Sequence, residues 1–340
     1  MRQASIQSSA WRVHVPFLLF LIVAVVAPLL FSTGFQLRLL SLIWIYAILS
    51  IGFNLLYGYA GQIAMGHQGF FAIAAYAFAL LQLKAGFSPI AALPASLAMC
   101  AIVALVIGVP LLRLRTHYLA MATLCFGLVI SGVANRWIDV TGGTAGLLIP
   151  SIQIGEKTMD RTTLYYVIVA ATALVLILQN FIVSSHLGRS LQAIRDDDKA
   201  AAALGVNVAV QKLRVFVLSA VLAGLAGIGF AVVSRQVSPS MGEFPILVSM
   251  LTIAVVGGLG TRYGPILGSI VVVMAPQFLT RFGELETLVY GLCLLLFLIF
   301  MPHGLSGMFG ALMSKQPVRF SRRSPPRLPA PHPVKKGVGR

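Results

Sequence analysis

The groups in this chain best suited to bind a small solute lie in two glycine-rich runs. The first is Gly58-Tyr-Ala-Gly-Gln-Ile-Ala-Met-Gly-His-Gln-Gly69, and the second is Gly257-Gly-Leu-Gly-Thr-Arg-Tyr-Gly-Pro-Ile-Leu-Gly268. Counted from their first residues, glycines fall at 0, 3, 8 and 11 in one run and include 0, 3, 7 and 11 in the other. Glycine interrupts a helix and leaves backbone N–H and C=O groups available to a ligand. Corresponding Gly-broken segments in two halves of a membrane protein are the pattern that points to a transporter's binding site. Glycine also lets helices pack closely, and spacing alone leaves both readings open. Asn54, Gln62, His67 and Gln68 bracket the first run with neutral hydrogen-bonding side chains. Such groups suit a zwitterion or an amide better than a bare ion, and they serve equally for bonds between helices. The candidate substrate pathway is therefore Asn54, Gly58, Gly61, Gln62, Gly66, Gly257 and Gly260.

Other chemistries lack their residues. No G-x-x-x-x-G-K-[ST] loop is present, and GGLGTRYG at 257–264 lacks the Lys-Ser/Thr ending that binds nucleotide phosphates. There is no HExxH, GxSxG or CxxC. Cys100, Cys125 and Cys293 are scattered through apolar segments, without metal-ligand spacing or a disulfide framework. The expectation is a chain that is not an enzyme and binds no cofactor or metal directly.

A second feature is polar. Residues 184–214 include HLGRSLQAIRDDDKAAAALGVNVAVQKLR, a charged, helix-favouring stretch between long apolar segments. Residues 190–203 read as helix throughout, with Asp196, Asp197 and Asp198 in the middle and Gly205 as the natural stop. Leu191, Ile194 and the alanines 200–203 give an apolar face short enough to enter a partner's groove. The other reading of this segment is an amphipathic connector lying on the membrane.

These features sit in a very apolar chain. Hydrophobic residues make up 58% of the sequence and charged ones 10%, against about 25% charged in soluble domains, and mean hydropathy is +0.92. Spanning a bilayer takes about 20 apolar residues per helix. Apolar segments occur at 17–31, 39–57, 67–83, 89–112, 118–134, 164–183, 215–233, 246–260, 263–280 and 288–301. They are apolar all round rather than alternating, which excludes β-barrel strands. The fold expected is an all-α polytopic membrane protein of about 10 transmembrane helices, with 8 to 10 the range. The first segment follows Arg2 and Arg12 as a signal peptide would, but no small-residue cleavage site follows it.

Basic residues set the orientation. With the N-terminus inside, 18 of the 25 Lys and Arg residues fall on inner segments: Arg2, Arg12, Arg113, Arg115, the five in the polar loop, Arg262 and eight in the tail. Both termini and the loop are then cytoplasmic. The expected organisation is an N-terminal segment 1–16, a permease domain 17–301 containing the 184–214 loop, and a disordered, basic, Pro-rich tail 302–340. The net charge of +16 follows from this topology and calls for no nucleic acid. Asp and Glu are almost absent from the span centres. A proton- or sodium-driven carrier would be expected to keep a carboxylate there. The energy source is therefore expected in another protein.

The sequence resembles LivM-type permeases, the membrane subunits of ATP-binding-cassette importers for branched-chain amino acids. GRSLQAIRDDDKAAAALGVNVAVQKLRVFVLSAVLAGLAG (188–227) resembles that family's inner loop and following helix. NLLYGYAGQIAMGHQGFFAIAAYAFALL, YLAMATLCFG, TGGTAGL and VVGGLGTRYGPILG match further blocks in the same order. The resemblance implies a loop that docks cytoplasmic ATPases through Arg195, Asp196, Asp197, Ala201, Ala202 and Gly205. It also implies two ATPase subunits, a second LivH-like permease and an extracytoplasmic binding protein that delivers leucine, isoleucine or valine. The setting implied is the plasma membrane of a bacterium or archaeon. Urea or short-chain amide uptake is the neighbouring alternative, and an ion-coupled carrier is the alternative from another class.

Overall fold

The computed structural model describes residue 22, residues 24–28, 33–114, 116–150, 153–154, 157–279, 291, 295 and 304–307. Helix α1 (Gly34–Phe53) starts at a capping box, with the Thr33 side chain and Gln36 serving each other's backbone N–H groups. Its last turn widens into a π-helical turn over Asn54–Tyr59. Helix α2 (His67–Leu83) follows a non-helical segment, and α3 (Pro89–Leu111) starts at a Ser88 cap with Pro89 in its first position. Helix α4 (Thr116–Arg136) leads into a loop with short strands β1 (Leu147–Leu148), β2 (Gln153–Ile154) and β3 (Lys157–Thr158). Helix α5 (Arg161–Ser184) is followed by two short helices, α6 (His186–Asp196) and α7 (Asp198–Ala203). Helix α8 (Val208–Ser234) leads through β4 (Gln236–Val237) and a 3-10 turn (Pro239–Gly242) to α9 (Phe244–Gly257) and α10 (Gly264–Leu279).

Helix α8 is the axis of the bundle and packs against α1, α2 and α3. The approach is close enough that a Cβ on Gly227 would overlap the Phe71 carbonyl oxygen of α2, as small residues at membrane interfaces permit. Helix α5 covers another side of α1, and α9 and α10 form a pair that also packs on α1. Helix α4 lies at the margin, against α2 and the 239–242 turn. The core is aromatic and aliphatic, with Phe53, Phe70, Phe71, Phe78 and Phe216 buried together.

Five described helices are long and apolar enough to cross a membrane, and α2, α9 and α10 are apolar but shorter. Eight of the ten expected segments coincide with these helices. The segments 17–31 and 288–301, the N-terminal segment and the tail fall outside the described residues, apart from residues 22, 24–28, 291, 295 and 304–307. The last four form a helical turn inside the expected tail, and Ser306 Oγ donates to Thr261 Oγ1 at 2.9 Å.

Two expectations need correction. The helix expected over 190–203 is broken at Asp197, whose extended backbone and carboxylate cap α7 by accepting from Lys199 N at 2.8 Å and Ala200 N at 3.1 Å. An aspartate that can accept two free N–H groups ends one helix and starts the next. The loop is also shorter than expected, because α8 begins at Val208, capped by Asn207, rather than at 215.

Candidate functional site

The two glycine-rich runs, about 200 residues apart in sequence, meet at one end of the bundle. Asn54, in the π-helical turn that ends α1, holds them together. Its Nδ2 donates to the Thr261 carbonyl at 2.8 Å, and its Oδ1 accepts from Gly260 N at 2.7 Å. The side-chain amide thus mimics a strand partner for the α9–α10 turn. Gly58 lies so close to that turn that an added Cβ would stand 2.5 Å from Gly260 N. At Gly257 a Cβ would overlap the Gly264 carbonyl oxygen, so the α9–α10 turn closes only with glycine. Asn54 is 1% exposed, and both ends of its amide are occupied.

The polar loop sits on this clasp. Arg195, in the last turn of α6, donates from Nη1 to the Gly58 carbonyl. Its aliphatic stem covers Gly61, which has a left-handed φ of 68°. Gly188 lets α6 fold back sharply on the end of α5, where a Cβ would overlap the Val183 carbonyl oxygen. Lys212 of α8 pairs with Asp198 of α7, a partly exposed contact worth about 0–1 kcal/mol at most. The Asp197 carboxyl, capped by the Ala200 and Lys199 N–H groups, is held below its ordinary pKa. A cavity of about 300 Å³ lies between the loop and the bundle, lined by Gln62, Leu114, Leu119, Ile194, Asp196 and Lys212 among others.

The outward surface of the loop differs from the one expected. Leu191, Ile194 and Ala201 are buried against the chain's own bundle. The residues turned outward include Asp196 to Ala200 and Ala202 to Gly205, with Leu204 82% exposed. Gly205 takes a φ of 84° and has nothing within 4 Å of an added Cβ.

At the opposite end, the TGGTAG block forms a tight cap on α4. Thr141 Oγ1 donates to the Ala134 and Trp137 carbonyls at 2.6 and 2.7 Å, and Leu147 pairs with Val237 of β4.

Gln62 and Gly66 belong to the non-helical segment that leads into α2, and both are buried. Met65 N donates to Thr123 Oγ1 of α4 at 2.8 Å. His67 Nε2 lies 3.2 Å from Ser219 Oγ of α8. Thr123 and Thr261 were not singled out from the sequence. A threonine in an apolar run reads as bonded back to its own helix, which Thr123 also does, to Leu119 O at 2.8 Å. Thr261 contributes its carbonyl, which no side-chain pattern reveals.

A sequence profile of the family described as the branched-chain amino acid transport system permease component matches residues 35–301. The chain belongs to that family. It is 33% identical over 310 residues to the high-affinity branched-chain amino acid transport system permease protein LivM of Escherichia coli, covering 84% of this chain and 73% of that protein. It is 28% identical to BraD of Pseudomonas aeruginosa, a protein with the same transport description, over 77% of this chain and 91% of that one. LivH of Escherichia coli is 25% identical over the same shares. Among solved structures, PsaBC from Streptococcus pneumoniae in complex with Fab aligns at a TM-score of 0.42 and 17% identity, over 85% of this chain and 98% of that one. That likeness is too slight to bear on the fold. The branched-chain permease family makes the chain a multi-pass membrane transport subunit, and the clasp with its docked loop lies within the matched region.

Proposed function

We propose that this permease is one of two paired subunits in an ATP-driven importer of leucine, isoleucine and valine, seated in the plasma membrane of a bacterium or archaeon. Two cytoplasmic ATPase subunits dock on α6 and α7, and an extracytoplasmic binding protein delivers solute to the opposite end. The chain itself binds no cofactor. The observation that carries this reading is the seating of the polar loop on the glycine clasp, through Arg195 and the Gly58 carbonyl. Asn54 ties the same point to α9 and α10. A displacement of α6 by ATPases closing beneath it therefore pulls on the ends of three membrane helices together, as rigid-body switching requires. In this reading Arg195, Asp196, Asp197, Ala202 and Gly205 form the coupling face, with Ala201 as its inner anchor. The scarcity of carboxylates in the described spans fits an engine outside the membrane.

Uptake competition in a strain lacking this subunit tests the reading. Leucine, isoleucine and valine should compete with one another in cells carrying the chain, and urea should not. Competition by urea moves the substrate assignment to the amide alternative. Uphill uptake by the purified chain on an ion gradient, without nucleotide, overturns the ATP-driven reading.

A further inference from the structure

Three of the seven Lys and Arg residues outside the inner segments, Arg38, Arg161 and Arg235, meet at one cavity of about 380 Å³. It lies at the end of the bundle opposite the polar loop. Membrane proteins concentrate basic residues on the inner side, so a trio gathered at the other end needs a counter-charge. None of the three forms an ion pair with a described residue, and no acidic side chain is among the described residues lining the cavity. The fold constrains their placement. The Arg161 guanidinium lies against Gly34, where a Cβ would overlap its Nη1. Arg235 has a φ of 55° and is the one non-glycine in the left-handed region among the described residues. That backbone favours glycine, and such strain collects at ligand-holding sites. Ser234 Oγ, on the same wall, is buried without a hydrogen-bond partner among the described residues. Helices α1 and α5 begin here, with the positive ends of their dipoles, and α8 ends here.

The cavity does not end at its polar walls. Met159, Leu164 and Val232 line it and also line a second hollow of about 200 Å³, so the two are continuous. The second hollow is a groove on the flank of the bundle, walled by α3 and α5 and floored by α1 and α8. Every described residue lining it is apolar or glycine. Ile90 and Val167 on its walls are 70% and 48% exposed, so it opens sideways, toward lipid. Its farthest lining residues on α1, α5 and α8 are Ile48, Ala171 and Leu225. Each lies ten positions along the chain from Arg38, Arg161 or Arg235, or about 15 Å at 1.5 Å per residue. That is one leaflet, half of a hydrocarbon core about 30 Å thick.

We propose that this is a binding site for an anionic phospholipid of the outer leaflet. Arg38, Arg161 and Arg235 hold its phosphate, and one acyl chain lies in the groove between α3 and α5. Guanidinium donors match a phosphate in pairs, and basic pockets between membrane helices take anionic headgroups. A soluble anion would use the arginines but not the groove. A neutral lipid would fill the groove but leave three positive charges unbalanced. The lipid joins α1 and α5 at this end, while their other ends carry the clasp and the loop. The site rests on the membrane-spanning fold and the orientation set by the basic residues, not on the solute transported.

The test uses the complete transporter, purified in detergent with its partner subunits. It is titrated with phosphatidylglycerol or with phosphatidylcholine of the same chains, and bound lipid is counted by native mass spectrometry. Phosphatidylglycerol should bind a saturable site about tenfold more tightly than phosphatidylcholine, as one charge-assisted contact implies. Arg38→Gln combined with Arg235→Gln should abolish that preference. Leu93→Trp, which fills the groove and leaves every charge in place, should weaken phosphatidylglycerol binding about tenfold as acyl burial is lost. Excess inorganic phosphate should leave the lipid bound. Equal binding of the two lipids by the unaltered transporter overturns the proposal without recourse to any variant. So does a preference that survives the double arginine substitution. Displacement by inorganic phosphate, with Leu93→Trp binding as the unaltered protein does, assigns the arginines to a soluble anion and overturns it as well.

Discussion

Single side chains tie the loop to the membrane helices, and their strength sets what a substitution should do. A hydrogen bond from a charged donor contributes about 1.5–3 kcal/mol, and 1.4 kcal/mol is about tenfold in an equilibrium. Arg195→Ala should therefore lower uptake about tenfold while the assembled ATPases continue to hydrolyse ATP. Measuring both rates in one preparation checks this, and proportional loss of the two would contradict a transmitting role. Gly58→Ala forces a methyl group against Gly260 N and Asn54 Oδ1. Overpacking of that kind costs about 1–3 kcal/mol, so the melting temperature should fall, whereas Gly205→Ala, with open space around it, should carry only the backbone strain. The sequence marked Asn54, Gly58 and Gly260 as special because their types are unusual within apolar runs. It could not show that they touch one another, since a hydrogen bond across a separation of 207 residues leaves no local pattern.

Among the elements, the two-piece loop is the least legible from sequence and the most consequential. Propensity favours continuous helix from 190 to 203, but three consecutive aspartates offer a cap wherever the backbone can extend, and Asp197 takes it. The resulting bend turns Leu191, Ile194 and Ala201 inward and leaves Ala202 to Gly205 facing out. Composition identified the apolar positions correctly but not the face they cover. Asp197→Ala should loosen α7 and weaken copurification of the ATPases, while Asp197→Asn, which still accepts hydrogen bonds, should retain most of it. The pH dependence follows from the lowered carboxyl pKa. The cap is fully formed above the ordinary carboxylate value of about 3.9 and weakens only as pH falls through the lowered one. Copurification should accordingly be flat between pH 5 and 8 as far as Asp197 is concerned. The long apolar helices were legible nearly to their ends. The start of α2 at His67 was legible too, because the glycines at 58, 61 and 66 break the apolar run just before it.

For the molecule as a whole, the charge distribution in the sequence predicts which end faces the cytosol, and labelling can check it. Leu204 and Leu148 are 82% and 75% exposed at opposite ends of the bundle. A cysteine at 204 should react with a membrane-impermeant maleimide only after the membrane is opened, and one at 148 should react in intact cells. Labelling of both from the same side would refute the orientation. The general plan was readable because a bilayer admits few ways to satisfy a backbone; the meeting of the two glycine runs was not, because it depends on how the described helices pack. That meeting has a bearing on biosynthesis. Asn54 enters the bilayer with its amide unsatisfied, and its partners Gly260 and Thr261 leave the ribosome about 10–40 s later at ordinary elongation rates. A nascent chain halted before them would carry an open polar defect at the end of α1, a mark that distinguishes an unfinished copy from a finished one.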